Sequence, residues 1–153
     1  LFRSMTITRT DSSNKDFIEL IPYLDAELDV MDREAHTICS QYNGVEAIKN
    51  VILAYSDEKV VGCGAIKKYS EDTMEVKRMF VRPEYRGKRI ASNVLKELEA
   101  WALELGYSCC ILETSCKLSD AIRLYEKSGY VQIPNYDQYE NVDTSRCFCK
   151  KLK

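Results

Sequence analysis

Apolar positions follow two rhythms along this chain. Short runs rich in β-branched residues, alternating or continuous, mark strands at "MTITRT" (5–10), "VILAYS" (51–56), "KVVGCGAIKKY" (59–69) and "TMEVKRMFV" (73–81). The last three follow one another across short turns, as in an antiparallel meander. Ahead of them, Phe17, Leu20, Ile21, Leu24, Leu28 and Met31 recur at helical spacing. Ser12, Ser13 and Asn14 offer caps for that helix, and Pro22 is expected to break or restart it.

From Lys88 the period changes. Ile90, Val94, Leu95, Leu98, Trp101, Ala102 and Leu105 form one apolar face of a long helix, and Gly106 suits its C-terminal turn. "YSCCILET" reads as a buried strand. "SDAIRLYEKSG" reads as a second helix, capped by Ser119 and ended by Gly129. "YVQI" and "SRCFCKKL" close the chain as strands. The order predicts an α/β sheet of about seven strands with helices on both faces.

Composition narrows this further. The 153 residues fit a single domain, expected over 5–153, with Met5 as a natural start and residues 1–4 as an expression remnant. Hydrophobic residues at 45% and charged residues at 30% describe an ordinary folded chain. A net charge of -2 argues against a dedicated nucleic-acid binder while leaving room for a local basic patch. No apolar run approaches the ~20 residues that span a bilayer, and no signal-peptide core is present, so a cytoplasmic protein is expected. The seven cysteines show no CxxC spacing, and His36 is the single histidine. A Cys/His zinc site therefore has little support, and no metal is expected. Small core residues in a reducing compartment are the simpler reading, with Cys147 and Cys149 on one face of a strand.

The stretch "VRPEYRGKRIA" joins a strand to the long helix. A helix start presents free N–H groups and the positive end of the helix dipole, which together make an anion site. Gly87 and Ala91 let the backbone close around a phosphate, and Arg86, Lys88 and Arg89 add charge. The same residues fit a solvated basic turn. The stretch is neither a Walker A loop nor GxGxxG. "GCG" at Gly62–Gly64 lies within a strand and reads as a bulge or a close packing contact.

"MEVKRMFVRPEYRGKRIASNVLKELEAWALELGY" resembles the central motif of the GNAT N-acetyltransferase superfamily, in which a strand leads into Q/R-x-x-G-x-G/A at a helix start. Arg86, Gly87, Lys88, Arg89, Ile90 and Ala91 occupy those six positions. "AIRLYEKSGY" resembles the family's second helix, and "VILAYSDEKVVGCGAIKKY" its central hairpin. The first 45 residues match weakly. Two departures stand out. Arg89 replaces the usual fourth-position glycine, where a left-handed backbone is costly for arginine. Leu118 stands where the family often has a cofactor-contacting Asn.

The resemblance implies a mixed, mostly antiparallel sheet with a splayed parallel strand pair, and acetyl-CoA as co-substrate. The backbone of Met79, Phe80 and Val81 would pair with the pantetheine arm. The amides of Arg86 to Ala91 would hold the pyrophosphate, with Ser92 donating to the same phosphate. Glu75 is the implied base and Glu113 a second candidate. Tyr125 is the implied acid for the leaving thiolate. No acyl-cysteine is needed, although Cys116 lies near the expected site.

The acceptor implied is a primary amine of a small molecule or peptide. Asp25, Asp29 and Asp32 share one helical face, read either as solvated or as steering a cationic amine. "IPNYDQY" (133–139) is the other expected wall. No nucleic-acid or membrane partner is expected, and a homodimer is compatible with the chain. Two alternatives stay open: an acyl-CoA-binding regulator without catalysis, and a nucleic-acid module using "KRMFVRPEYRGKR".

Overall fold

The computed structural model describes residues 4–35 and 47–153; His36 and Cys39 lie outside them. Seven strands form one sheet in the order β1-β2-β3-β4-β5-β7-β6. They are β1 (Met5–Thr10), β2 (Asn50–Ser56), β3 (Lys59–Lys68), β4 (Thr73–Val81), β5 (Cys109–Ser115), β6 (Val131–Ile133) and β7 (Ser145–Lys151). All neighbours are antiparallel except β4 and β5, which run parallel. The meander expected from the apolar runs is β2-β3-β4. Among the described residues, no helix is long and apolar enough to cross a membrane.

Helices cover both faces. α1 (Lys15–Met31) buries Phe17, Leu20 and Leu24 against Val51, Leu53 and Phe80. On the opposite face α2 (Ile90–Glu104) packs Val94, Leu95 and Leu98 onto Ile52, Val61 and Ile66, and α3 (Ser119–Lys127) adds Tyr125. Val94, Leu95 and Leu98 are at most 1% exposed, so each contributes about 1.5–3 kcal/mol of burial. Packing of this kind anchors α2, because its N-cap residue, Arg89, makes no side-chain cap bond.

One local expectation is met and two are revised. Asn14 does cap α1, accepting from Asp16 N at 2.8 Å. Pro22, however, neither breaks nor restarts the helix, which runs through it. It lies on the exposed face, where water can satisfy the Ile18 carbonyl that proline leaves unbonded. Ser119 is the first residue of α3 rather than its cap; Leu118 takes the cap position without a side-chain bond. The cysteine reading holds for Cys63, Cys110 and Cys147, which are buried, whereas Cys116 is exposed.

Gly64 is a close-packing position. A Cβ there would stand 2.6 Å from Met79 Sδ, 2.8 Å from Val94 Cγ1 and 2.9 Å from Leu98 Cδ1. Its lack of a side chain lets α2 lie close to β3, at the level where β4 is irregular.

Candidate active site

The alternation of β4 flips partway along the strand. Met74 and Val76 face α2, while Lys77 pairs with Ala65 on the α1 side. After Arg78 the parity inverts: Val81 faces α2 and Phe80 faces α1. The cause is a β-bulge. One residue lies between Cys63 and Ala65 on β3, against two between their partners Phe80 and Lys77. Arg78 absorbs the extra residue at φ 59, a left-handed conformation that is costly for arginine. Cys63 Sγ donates to the Arg78 carbonyl at 3.2 Å. Burial pushes the Cys63 thiol up to about 12, so its proton stays available for that bond.

The parallel strands then part. β4 pairs with β5 only from Thr73 to Glu75, opposite Cys109 to Ile111. Beyond Glu75 the two separate and leave a cleft of about 980 Å³, open mouth included. Residues from both sides of the sheet line it. Leu118, Ala121 and Tyr125 come from the α3 side, and Leu24, Leu28, Asp32 and Tyr139 from the α1 side.

Glu75 and Glu113 stand on the two arms of the split. Glu75 is buried and accepts a hydrogen bond from the Tyr136 hydroxyl at 2.6 Å. Lys77 Nζ lies 3.7 Å from the other oxygen of Glu75. Burial pushes the Tyr136 phenol up, and the Glu75 carboxylate adds to the shift. Burial also raises the Glu113 carboxyl, opposed by a hydrogen bond from Ser145 and by Lys77 and assisted by Glu75 and Asp32. The Tyr125 ring packs edge-on against Tyr130, with centroids 5.8 Å apart. Burial, and then Glu113, push the Tyr125 phenol upward, so it keeps its proton at neutral pH.

The sequence places Asp32 on an acidic helical face, solvated or steering. It is instead buried, and it ties the end of α1 to the far arm of the split. It accepts from Ser115 Oγ at 2.7 Å and pairs with Lys117 Nζ at 3.4 Å. Burial opposes its ionisation. Hydrogen bonds from Thr144 and Ser115, the Lys117 ammonium and the Ala35 amide outweigh that and hold the carboxyl below its ordinary value. Further along α1, acids meet the arginines of β4 and its loop: Glu19 with Arg82 at 2.8 Å, Asp25 with Arg78 at 3.3 Å and Glu27 with Arg86 at 2.7 Å.

The loop before α2 is open to solvent. Gly87 has φ +78, and nothing lies within 4 Å of where its Cβ would be. Arg89 has φ 63 and ψ 19, so it adopts the left-handed geometry directly. Arg86 departs from its expected place as an amide donor to phosphate. Its N–H is turned inward to the Pro83 carbonyl at 3.2 Å, its Nε donates to the Val81 carbonyl at 2.9 Å, and its guanidinium meets Glu27. Among the described residues, the amides of Gly87, Lys88 and Arg89 enter no such turn bond. Ile90 is buried; Ala91 and Ser92 are half-buried in the first turn of α2.

Residues 16–130 match the model of the acetyltransferase (GNAT) family. The chain belongs to the GNAT family. An IAA acetyltransferase of Azospirillum brasilense is 32% identical over 138 residues, which cover 89% of this chain and 90% of that protein. A Klebsiella pneumoniae protein assigned as an acyl-CoA N-acyltransferase superposes with a TM-score of 0.81 at 29% identity, covering 97% and 98% of the two chains. A GNAT acetyltransferase of Elizabethkingia anophelis, solved with acetyl-CoA bound, shares the fold with a TM-score of 0.68 at 19% identity, covering 96% and 97%.

GNAT enzymes use acetyl-CoA as co-substrate and act on amine acceptors. The residues here suit that co-substrate. The amides of Gly87, Lys88 and Arg89 donate in no backbone turn bond among the described residues and stand at the positive end of a 15-residue helix. The bulge and split expose a stretch of β4 that includes Met79. The structure brings Tyr125, Glu75 and Glu113 to one cleft, together with Leu118, while Phe80, Val81 and the 86–92 segment lie outside its lining. Cys116 is not among the lining residues. Sequence reasoning missed Lys77, Arg78 and the burial of Asp32. The only available signal was the density of charge in "EVKR", which a solvated strand end would also show.

Proposed function

We propose that the protein, as a single domain over 5–153, transfers an acetyl group from acetyl-CoA directly to a primary amine of a small molecule or peptide. One observation carries the reading: the cleft passes through the sheet, with Tyr125 approaching from the α3 side and Glu75 from the α1 side. Donor and acceptor thus have separate entrances to one reaction point. The CoA pyrophosphate lies on the amides of Gly87, Lys88 and Arg89 and the first turn at Ile90, Ala91 and Ser92. The pantetheine arm runs along the backbone of Met79, Phe80 and Val81.

An alkyl amine of pKa near 10.4 is neutral in only about one molecule in 2,500 at pH 7, so a base is needed. Glu75 fills that role, directly or through water. The Tyr136 hydrogen bond fixes its orientation. The acceptor nitrogen attacks the thioester carbonyl, and Tyr125 protonates the departing thiolate. The low-dielectric setting of Tyr125 keeps its proton in place until the sulfur develops charge.

Two measurements test this. Acetyl-CoA should raise the melting midpoint, and a panel of polyamines, amino acids and peptides should reveal an acceptor by CoA release. Tyr125→Phe should then preserve acetyl-CoA affinity while lowering kcat by about 10²–10⁴-fold. Unchanged turnover would remove Tyr125 from the chemistry. A flat melting response combined with salt-sensitive binding of oligonucleotides would replace the enzyme by the nucleic-acid reading.

A further inference from the structure

Lys77 is the single lysine among the described residues that line the cleft. We infer that Lys77 is an acetylation site of the protein itself: without an external acceptor, its ε-amine takes the acetyl group from acetyl-CoA. The inference rests on the acetyl-transfer reading given above.

An external acceptor must bring a primary ammonium into the cleft, beside a carboxylate able to take its proton. Lys77 already meets that description. Its Nζ lies 3.7 Å from Oε1 of Glu75, and its side chain is only 13% exposed. The residue immediately precedes the bulge, on the α1 side of β4, the side that the acetyl-transfer reading gives to the acceptor. Lys117, by contrast, stands at the rim, 51% exposed and engaged with Asp32. A tethered amine at the reaction point needs no bimolecular encounter, and that advantage offsets an imperfect angle of approach.

The step balances without any further reactant. The Lys77 ammonium gives one proton to Glu75. Its nitrogen attacks the thioester carbonyl carbon, a C–N bond forms and the C–S bond breaks. The nitrogen sheds its second proton to water, and Glu75 passes the proton it accepted on to solvent. The thiolate takes a proton from Tyr125, which recovers one from solvent. The sum is Lys77 ammonium plus acetyl-CoA giving N-acetyl-Lys77, CoA thiol and one proton. The modified residue is neutral, so Glu75 and Glu113 lose their cationic neighbour and the cleft becomes more acidic.

Isotopically labelled acetyl-CoA, incubated with the purified protein in the absence of any amine, tests the inference by peptide mass mapping. Lys77 should acquire the label at least about tenfold faster than the exposed Lys96 and Lys127. Glu75→Gln should slow labelling at Lys77 by about tenfold or more and leave the exposed lysines at their background rate. Lys77→Arg should abolish the acceptor-independent release of CoA. Label spread evenly over exposed lysines, or a Lys77 rate indifferent to Glu75→Gln, would overturn the inference. An unlabelled Lys77 in a protein that still melts higher with acetyl-CoA and acetylates an external amine sinks this inference alone. No melting response and no turnover sink the acetyl-transfer reading as well.

Discussion

The two entrances to the cleft are built by different means. The α2–α3 side relies on backbone geometry and apolar packing: a left-handed Gly87, amides at a helix start, and Val94, Leu95 and Leu98 pressed against the sheet. The α1 side relies on paired side chains: Glu19–Arg82, Asp25–Arg78, Glu27–Arg86, Asp32 with Ser115 and Lys117, and Tyr136 with Glu75. The first kind of construction responds to pH and salt only weakly, through screening of the helix dipole. The second depends on both, because its partners are ionised and several are half-exposed. Cofactor affinity and acceptor handling should therefore respond to different perturbations.

The largest effect should come from the backbone side. Gly87→Pro removes an amide and forces φ to about −65°, against the observed +78. Calorimetry should show acetyl-CoA affinity falling by at least about a hundredfold, or ~2.7 kcal/mol, with the acceptor side intact. Retained affinity would mean that side-chain charge, and not the backbone, holds the ligand.

Next comes Asp32, which should act on the opposite side. Asp32→Asn leaves the side chain's size unchanged but weakens charge-assisted bonds to Ser115, Thr144 and Lys117. A loss of about 1–3 kcal/mol is expected in chemical denaturation at pH 7. The sign with pH follows from the depressed carboxyl. Its contribution is present above the ordinary Asp value of 3.8 and is lost as pH falls through the lower folded value. The variant and the parent should therefore converge in stability in strong acid. A gap that persists there would assign the effect to packing.

Glu113 gives a smaller effect of opposite sign. Burial raises its pKa, so its favourable contribution exists below the unfolded value and is lost as pH rises through the folded one. Glu113→Gln should raise the melting midpoint at pH 8 and have little effect near pH 4. A midpoint that falls at pH 8 would show that the ionised Glu113 is held favourably by its neighbours.

Arg89→Gly should have the smallest effect. It relieves a left-handed arginine, a strain of roughly 1–2 kcal/mol, and returns part of that gain as unfolded-state entropy. Acetyl-CoA affinity should stay within about tenfold in calorimetry, with stability unchanged or slightly higher. A complete loss of affinity would transfer the recognition to the Arg89 side chain.

The same contrast explains what the sequence revealed. Gly87 and Gly106 could be read because each meets a backbone requirement that few residue types satisfy, and both have positive φ. The strand and helix periods around them follow from one-sided burial. The α1 side was opaque for the opposite reason. Asp32 and Ser115 are 83 residues apart, and nothing in the helical face of Asp25, Asp29 and Asp32 tells which acid turns inward. Pro22 was misleading because its effect depends on whether water reaches the Ile18 carbonyl, a tertiary fact. The bulge was hidden because an arginine, not a glycine, carries the positive φ at position 78.

The inverted parity of β4 also turns a distance along the chain into a fixed count. Upstream of Arg78, even-numbered residues face α2; downstream, odd-numbered residues do. The bulge acts as a one-residue clutch between the segment holding Glu75 and the segment running from Met79 to Val81. Deleting one residue there would leave Lys77 and Phe80 two steps apart, as their partners Ala65 and Cys63 are, so the strand would alternate regularly, Phe80 would still face α1 and Val81 α2, and only the bulge would be lost. The extra residue at this crossing point therefore serves the opening between the strands and not the packing of Phe80 and Val81.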